Sequence, residues 1–221
     1  HLTQIPFLRG LAEYGMGVLM VMQRAGAGST TYFLGLIGNG WWYYFPVVYL
    51  AKESIGALLF LCLGATGMFI ALTRRPLTLA RRIAEHPVEL LLLIGASLYW
   101  IMSLRSLLNI GIRHIFPVIP GMYVLALCGY RYLSRNWKRY YRTVLIAGSL
   151  IIAFTETLLA YPHLLSFYNA FAGGVKNGHT IAVDSNYDWG IDAYRIRSAL
   201  QDAGWSPEEN VALDFFGGHL I

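Results

Sequence analysis

The feature that most constrains this chain is a set of long apolar segments that are nearly free of charge. A helix that crosses a bilayer needs about 20 apolar residues. The segments that meet this requirement are Ser54–Leu72, Val88–Leu104, Ile115–Tyr130 and Thr143–Leu159. Charged residues make up only 13% of the chain, whereas a soluble domain carries about 25%. The sequence therefore predicts a mainly α membrane protein, a polytopic transmembrane helical bundle with about four spans.

The third predicted span is shorter than the others and holds Pro117 and Pro120. Proline is tolerated inside a span where neighbouring helices satisfy the backbone groups that it frees. We therefore expect this span to pack inside the bundle.

Basic residues in the loops predict the orientation of the bundle. Loops 73–87 and 131–142 hold nine of the 17 Lys and Arg residues, while the loop between the second and third spans holds only Arg105 and Arg113. Cytoplasmic loops of membrane proteins carry an excess of Lys and Arg. Loops 73–87 and 131–142 are thus predicted to be cytoplasmic. The formal net charge of +5 comes largely from these loops, and it is not interpreted as a nucleic-acid-binding signal.

Three regions follow from this pattern. Residues 1–53 form an outer-face segment, residues 54–160 form the transmembrane bundle, and residues 161–221 begin an extracytoplasmic region. Within the first region, 7–22 predicts an interfacial helix, with a further span as the alternative. Gly38–Pro46 contains five consecutive aromatic residues, which favour an aromatic belt at the headgroup level over a sugar-stacking surface.

The last region has the pattern of a small α/β segment. Thr180–Asp184 and Val211–Phe216 predict strands, and Gly190–Ala203 predicts an amphipathic helix between them. The chain starts at His1 and stops soon after the second predicted strand. We therefore expect the sequence to be part of a longer protein.

Charged residues at the ends of two spans are the first candidates for a binding site. Lys52 with Glu53 precedes the first span, and Arg113 with His114 precedes the third. Arginine binds phosphate through a planar fork, and lysine supplies a compact charge. These positions suit the phosphate of a lipid-linked substrate; the alternative is that they are anchors for the helix ends. For Glu156, near the end of the fourth span, a structural hydrogen bond is favoured.

The densest polar cluster is DSNYDWGID, which follows a predicted strand and opens a predicted helix. Asp184, Asn186 and Asp188 beside Trp189 suit a sugar, through hydrogen bonds to hydroxyl groups and stacking on the indole ring. The alternative is a helix cap at Asp188 with ordinary turn residues. Arg195 stands where a calcium loop has a bidentate glutamate, so no metal site is predicted. The sequence has no GxxxxGK[ST], HExxH or CxxC pattern.

Three stretches carry a family resemblance: GWWYYFPVVYLAK (40–52), NIGIRHIFPVIP (109–120) and YPHLLSFYNAFAGGVKNGHTIAVDSNYDWGIDAYRI (161–196). In order and spacing they resemble the C-terminal half of bacterial glycosyltransferases related to the protein O-mannosyltransferases (family 39, GT-C architecture). The last stretch is the most specific, because YNxxAGG and DSNxDWG occur together. Glu53-Ser54 and Ile191 depart from the family pattern.

The resemblance implies a multi-pass enzyme of the plasma (inner) membrane with its active site on the outer face. Such an enzyme is an inverting glycosyltransferase that moves a sugar from a polyprenyl-phosphate carrier to a protein or glycan acceptor. The family's catalytic acid lies in a first outer loop that this sequence does not contain, so no catalytic residue is predicted here. No cofactor is evident, and a divalent cation in the intact enzyme stays open. The residues implied in substrate binding are Arg113, His114, Lys52, Asp184, Asn186 and Asp188.

Two other functions fit the same features. A transporter or flippase of lipid-linked glycans would also need basic residues that grip phosphate, and it would place polar residues at mid-membrane. A non-catalytic subunit of an envelope complex would use the outer region as an adaptor.

Overall fold

The protein is mainly α-helical over the part of the chain that the computed structural model describes, residues 6–74, 79–187, 189 and 193–205. The helices are α1 (Pro6–Ala27), α2 (Tyr44–Lys52), α3 (Ile55–Arg74), α4 (Leu79–Glu85), α5 (Pro87–Leu104), α6 (Ile119–Leu133), α7 (Arg139–Ala160), α8 (Gly174–Asn177) and α9 (Ala193–Asp202). Strands β1 (Thr31–Phe33) and β2 (Leu36–Gly38) form an antiparallel hairpin. The sequence analysis did not predict this hairpin.

Four helical segments are long and apolar enough to cross a membrane: Ile55–Arg74, Pro87–Leu104, Ile112–Leu133 and Arg139–Ala160. The length and apolar composition of these helices confirm the prediction of about four spans. No more than 22% of the apolar stretch of any of them is buried inside the protein, as expected for helices that face lipid. Helix α1 coincides with the helix predicted over 7–22 and is not among the four; its interfacial position stays a prediction.

The third span has two parts because of its prolines. Residues Ile112–Val118 form a 3-10 helix that contains Pro117, and α6 follows with Pro120 in its first turn. Proline lacks the N–H that an α-helix interior needs, but the first turn has no intrahelical partner for that group. In this span α6 lies against α3 and α5, and 22% of its apolar stretch is buried, the largest share among the four, while the rest is not covered by the described part of the protein.

Glycines allow α3 and α6 to approach closely. A Cβ atom at Gly64 would overlap the backbone of Ala126, and one at Gly129 would stand 2.8 Å from the backbone nitrogen of Met68. Small residues at helix contacts are the usual way for membrane helices to gain van der Waals packing. Helix α7 approaches α3 in the same manner, because a Cβ at Gly56 would stand 2.8 Å from the nitrogen of Ala153.

We call the end of the bundle at which α3 begins the Lys52 end, and the end at which α7 begins the Arg139 end. An aromatic core lies at the Lys52 end. Tyr44 and Phe45 on α2 are buried, and the rings of Tyr44 and Phe33 lie 4.9 Å apart. The aromatic-belt interpretation is therefore wrong for Tyr44 and Phe45, because the hairpin and the third span cover them. Trp42, at 66% exposure, remains available to an interface.

The strand predicted over Thr180–Asp184 is wrong. Gly178–Thr180 and Asp184–Asn186 are 3-10 turns, and Ala182 forms a single bridge with Phe33. The backbone oxygen of Ala182 accepts a hydrogen bond from the Tyr168 hydroxyl at 2.5 Å, so a side chain takes the place of a strand partner. The small α/β segment is thus not borne out in the described residues, and the predicted strand Val211–Phe216 lies outside them.

The remaining helix of this region fits the sequence better. Helix α9 lies within the predicted range 190–203. Gly204 follows with a φ of 83°, a left-handed conformation that favours glycine at a helix end.

The contact between α3 and α6 gives a first prediction. Gly129→Ala adds a methyl group where the neighbouring backbone leaves no room, and overpacking of this kind destabilises by about 1–3 kcal/mol. We expect a lower midpoint of thermal unfolding in detergent. The matched control is Gly95→Ala on α5, where nothing lies within 4 Å of the added atom. Equal midpoints for the two variants would show that the close approach does not hold the bundle together.

Candidate functional site

Lys52 connects the end of α2 to two segments that are distant in the sequence. Its Nζ atom donates to the backbone oxygen of Leu165 at 2.9 Å and to that of Asn186. The Tyr168 ring centroid lies 4.6 Å from the same atom. No carboxylate of a described residue forms an ion pair with Lys52. Burial lowers the pKa of this lysine to about 8, because the charged form has lost much of its water.

Asn186 joins three elements through its side chain, which is fully buried. Its Oδ1 atom accepts from the backbone N–H of Ile112 at 2.9 Å. Its Nδ2 atom donates to the Tyr44 hydroxyl at 2.7 Å and to the backbone oxygen of Val183 at 3.2 Å. Buried amides are stable only when they are paired in this way. Asn186 therefore holds the DSN turn against α2 and against the start of the third span.

A second contact fixes the same turn. The Ser185 hydroxyl donates to the backbone oxygen of Ile110, and a Cβ at Gly111 would overlap that hydroxyl. Glycine at position 111 is thus required for the close approach of the two segments. The indole Nε1 of Trp189 donates to the backbone oxygen of Ser185 at 2.9 Å, which fixes the position of its ring.

Arg113 lies over the ring of Trp189, with 5.0 Å between the guanidinium carbon and the ring centroid. Both residues are exposed, Trp189 at 46%. Arg113 has no ion pair with any described residue. A guanidinium that stacks on an aromatic ring keeps its N–H groups in its own plane and available to an anion. Arg113 and Trp189 are therefore an open cationic and aromatic pair at the Lys52 end.

His114 lies beside Arg113 and is half-buried. Its backbone oxygen accepts a hydrogen bond from the Tyr99 hydroxyl. Its Nε2 atom is buried and has no hydrogen-bond partner within the described part of the chain. The backbone at His114 is thus tied to α5, and one imidazole nitrogen has no partner among the described residues.

The structure brings four of the predicted site residues into one region: Lys52, Arg113, His114 and Asn186. The backbone of Asp184 belongs to the same 3-10 turn as Asn186, whereas Asp188 lies outside the described residues. The structural hydrogen bond predicted for Glu156 is confirmed. Its carboxylate accepts from the backbone N–H of Ile55 at 2.7 Å and from that of Ala170 at 3.3 Å.

Sequence reasoning missed the part played by Asn169. Its Nδ2 atom donates to the backbone oxygens of Leu50 and Glu53 at 2.6 and 2.8 Å, and its Oδ1 accepts from Ala172 at 3.0 Å. Asn169 therefore satisfies carbonyl groups at the end of α2 that have no intrahelical partner. The signal was the YNxxAGG motif, where Gly173 has a φ of 84° and lets the chain turn back directly after this asparagine.

A cleft of about 790 Å³ opens next to these residues, within the usual range for small-molecule sites. Polar and aromatic groups line it, including Tyr161, His163, Lys176 and Tyr187. Tyr168 lines the cleft and also lies next to Lys52. Burial raises the pKa of the Tyr168 hydroxyl. The cleft is large enough for a sugar or a short peptide, and the sequence analysis had not proposed it.

Comparison with protein-family models, with curated proteins and with solved structures gave no match to this chain. The three stretches that resemble family 39 glycosyltransferases remain a sequence-level expectation. The candidate site therefore rests on the contacts of its own residues.

The Asn186 contacts lead to a second prediction. Asn186→Leu removes the buried acceptor of the Ile112 N–H, and an unsatisfied buried group of this kind costs about 1–3 kcal/mol. We expect faster hydrogen exchange at the Ile112 amide, measured by mass spectrometry on peptides that cover 108–114. Asn136→Leu is the control, since that amide is exposed. Unchanged exchange at Ile112 in the Asn186 variant would contradict the proposed connection.

Lys52 gives a prediction on pH. Its pKa in the folded protein, about 8, lies below the ordinary value of 10.5, so the folded state loses this proton before the unfolded state does. Stability should therefore rise with pH between about 8 and 10.5, by about 1–3 kcal/mol. The measurement is the thermal midpoint of the wild type minus that of Lys52→Met across this interval. A difference that is flat or falls would show that Lys52 is not desolvated.

Proposed function

We propose that the chain belongs to a membrane glycosyltransferase that takes a sugar from a polyprenyl-phosphate carrier and transfers it to a protein or glycan acceptor. The observation that carries this proposal is the exposed pair of Arg113 and Trp189, at 5.0 Å, where the third span begins. A guanidinium suits phosphate oxygens, and an indole ring suits the apolar face of a sugar. A sugar phosphate on a lipid tail presents both groups next to each other at the membrane boundary.

The proposed roles differ between the two basic positions. Arg113 contacts the phosphate, with His114 as its neighbour. Lys52 is a positioning residue, since its ammonium already donates to two backbone oxygens. Through Asn186 it holds the turn that carries Trp189. Asp184 and Asp188 keep their predicted role in the outer pocket, as ligands for sugar hydroxyl groups.

The proposed reaction is an inverting displacement at the anomeric carbon. The acceptor hydroxyl oxygen forms the new bond to this carbon, and the bond from the carbon to the carrier phosphate oxygen breaks. The phosphate leaves with the electron pair, and Arg113 stabilises its charge. The acceptor proton passes to a carboxylate base that the family resemblance assigns to a loop outside this sequence. The cleft next to the site offers room for the acceptor.

The placement of charge favours an enzyme over a transporter. Within the four candidate spans the charged residues lie within about four residues of a helix end; they are Arg74, Glu89, Arg113, Arg131, Arg139, Arg142 and Glu156. A carrier that moves glycans across the bilayer would need polar groups at mid-depth. We propose the plasma (inner) membrane as the location, with loops 73–87 and 131–142 cytoplasmic and the Lys52 end extracytoplasmic.

Removal of the guanidinium tests the proposal. In the full-length protein, Arg113→Ala should raise the KM for a polyprenyl-phosphate sugar by about 10- to 100-fold, from about 1.5–3 kcal/mol for hydrogen bonds to a charged group. The assay follows the transfer of radiolabelled sugar in vesicles whose Lys52 end is accessible. Arg105→Ala is the matched control, an exposed arginine of the same loop that should leave KM unchanged.

Two results would contradict the proposal. An unchanged donor KM in a correctly inserted Arg113→Ala protein would remove Arg113 from the site. If the wild type transferred sugar from no donor and instead moved lipid-linked glycans across the vesicle membrane, the flippase alternative would replace the enzyme. If it did neither, the adaptor alternative would remain.

A further inference from the structure

The second concentration of charge in the protein lies at the Arg139 end, in the connection between α6 and α7. We call residues 131–142 the basic turn; its cations are Arg131, Arg135, Lys138, Arg139 and Arg142. The sequence contains no Asp or Glu between residues 90 and 155. The positive charge of the basic turn therefore has no acidic partner along a stretch that includes the third span and most of α7.

The other basic loop at this end differs in its charge balance. Arg81 forms an ion pair with Glu85 at 2.6 Å, and His86 lies 3.6 Å from Glu89. In the basic turn, by contrast, no ion pair occurs between described residues. Arg81 in the first loop is paired with an acidic residue, whereas the described cations of the basic turn are not, so the basic turn would attract an anion more strongly.

A groove of about 600 Å³ lies on the basic turn, and its lining changes in character from one end to the other. Asn136, Lys138 and the aromatic side chains of Trp137 and Tyr141 line it where α7 begins. Val144 and Leu145 continue the lining one turn into α7, and both are exposed, at 47% and 37%. A polar and cationic head that leads onto an apolar helix face has the form of a phospholipid site.

We propose that this groove binds the headgroup of an anionic phospholipid, with its phosphate at Lys138, which lines the groove and precedes Arg139 in the sequence, and an acyl chain along Val144 and Leu145. The aromatic rings of Trp137 and Tyr141 suit the boundary between headgroup and acyl chain. A zwitterionic lipid brings an ammonium group as well, for which the basic turn offers no carboxylate. Selectivity for net negative lipids follows from that difference. The groove lies at the opposite end of α6 from Arg113, so its occupancy does not depend on the proposed transfer activity.

The experiment uses the full-length protein in phosphatidylcholine vesicles that contain either brominated phosphatidylglycerol or brominated phosphatidylcholine. Bromine quenches tryptophan fluorescence at short range, and Trp137 lines the groove. We expect stronger quenching by the anionic lipid than by the zwitterionic one, and we expect Trp137→Phe to remove that excess. Equal quenching by the two lipids, or an excess that survives Trp137→Phe, would overturn the proposal.

Charge variants separate a defined site from general attraction. Lys138→Gln with Arg139→Gln should weaken the preference for the anionic lipid by roughly fivefold for each charge removed, and added salt should weaken it in the wild type. Lys138→Arg with Arg139→Lys keeps the charge and should keep the preference. Arg81→Gln is the control, because it removes one charge at the same end from a residue paired with Glu85. A loss that is the same in the control would also overturn the proposal.

Discussion

The hydrogen bonds of two buried asparagines, Asn169 and Asn186, hold the non-helical part of this protein in place. The described residues between α7 and α9 have little regular structure, so their backbone groups need partners outside helices and sheets. Asn169 pairs with the last carbonyl groups of α2, and Asn186 pairs with Tyr44 and with the first amide of the third span. Without these contacts the segment would leave buried polar groups unsatisfied next to an apolar bundle.

The position of the exposed pair follows from those contacts. Trp189 donates a hydrogen bond to the backbone oxygen of Ser185, the neighbour of Asn186. Arg113 follows Ile112, and the Asn186 side chain accepts a hydrogen bond from the backbone N–H of Ile112. The guanidinium and the indole ring thus stand on segments that one side chain ties together. Lys52 reinforces the same junction from α2. A site whose supports are buried and whose binding groups are exposed can bind a ligand without reorganising the fold.

The sequence predicted the bundle well because membrane spans depend on a property of long stretches, apolar length, which single residues do not change. It also predicted the role of Glu156, since a carboxylate near a span end has few outcomes other than a hydrogen bond. The strand predicted over Thr180–Asp184 was wrong because strand propensity describes a local preference. The hydrogen bonds of this segment are set by Tyr168 and Phe33, which are distant in the sequence. The contacts of Lys52 could not be predicted from the sequence either, because its partners are the backbone oxygens of positions 165 and 186, which are distant along the chain.

The motifs behind the family resemblance serve largely as supports in this structure. In YNxxAGG, Asn169 pairs with the end of α2 and Gly173 makes the turn. In DSNxDWG, Asn186 joins three elements, and Trp189 is exposed. Residues that act as supports specify the geometry of a site and not its substrate. In the proposed function, substrate choice depends on Arg113 and on the groups that face the cleft, most of which lie beside the supporting residues within the same stretches.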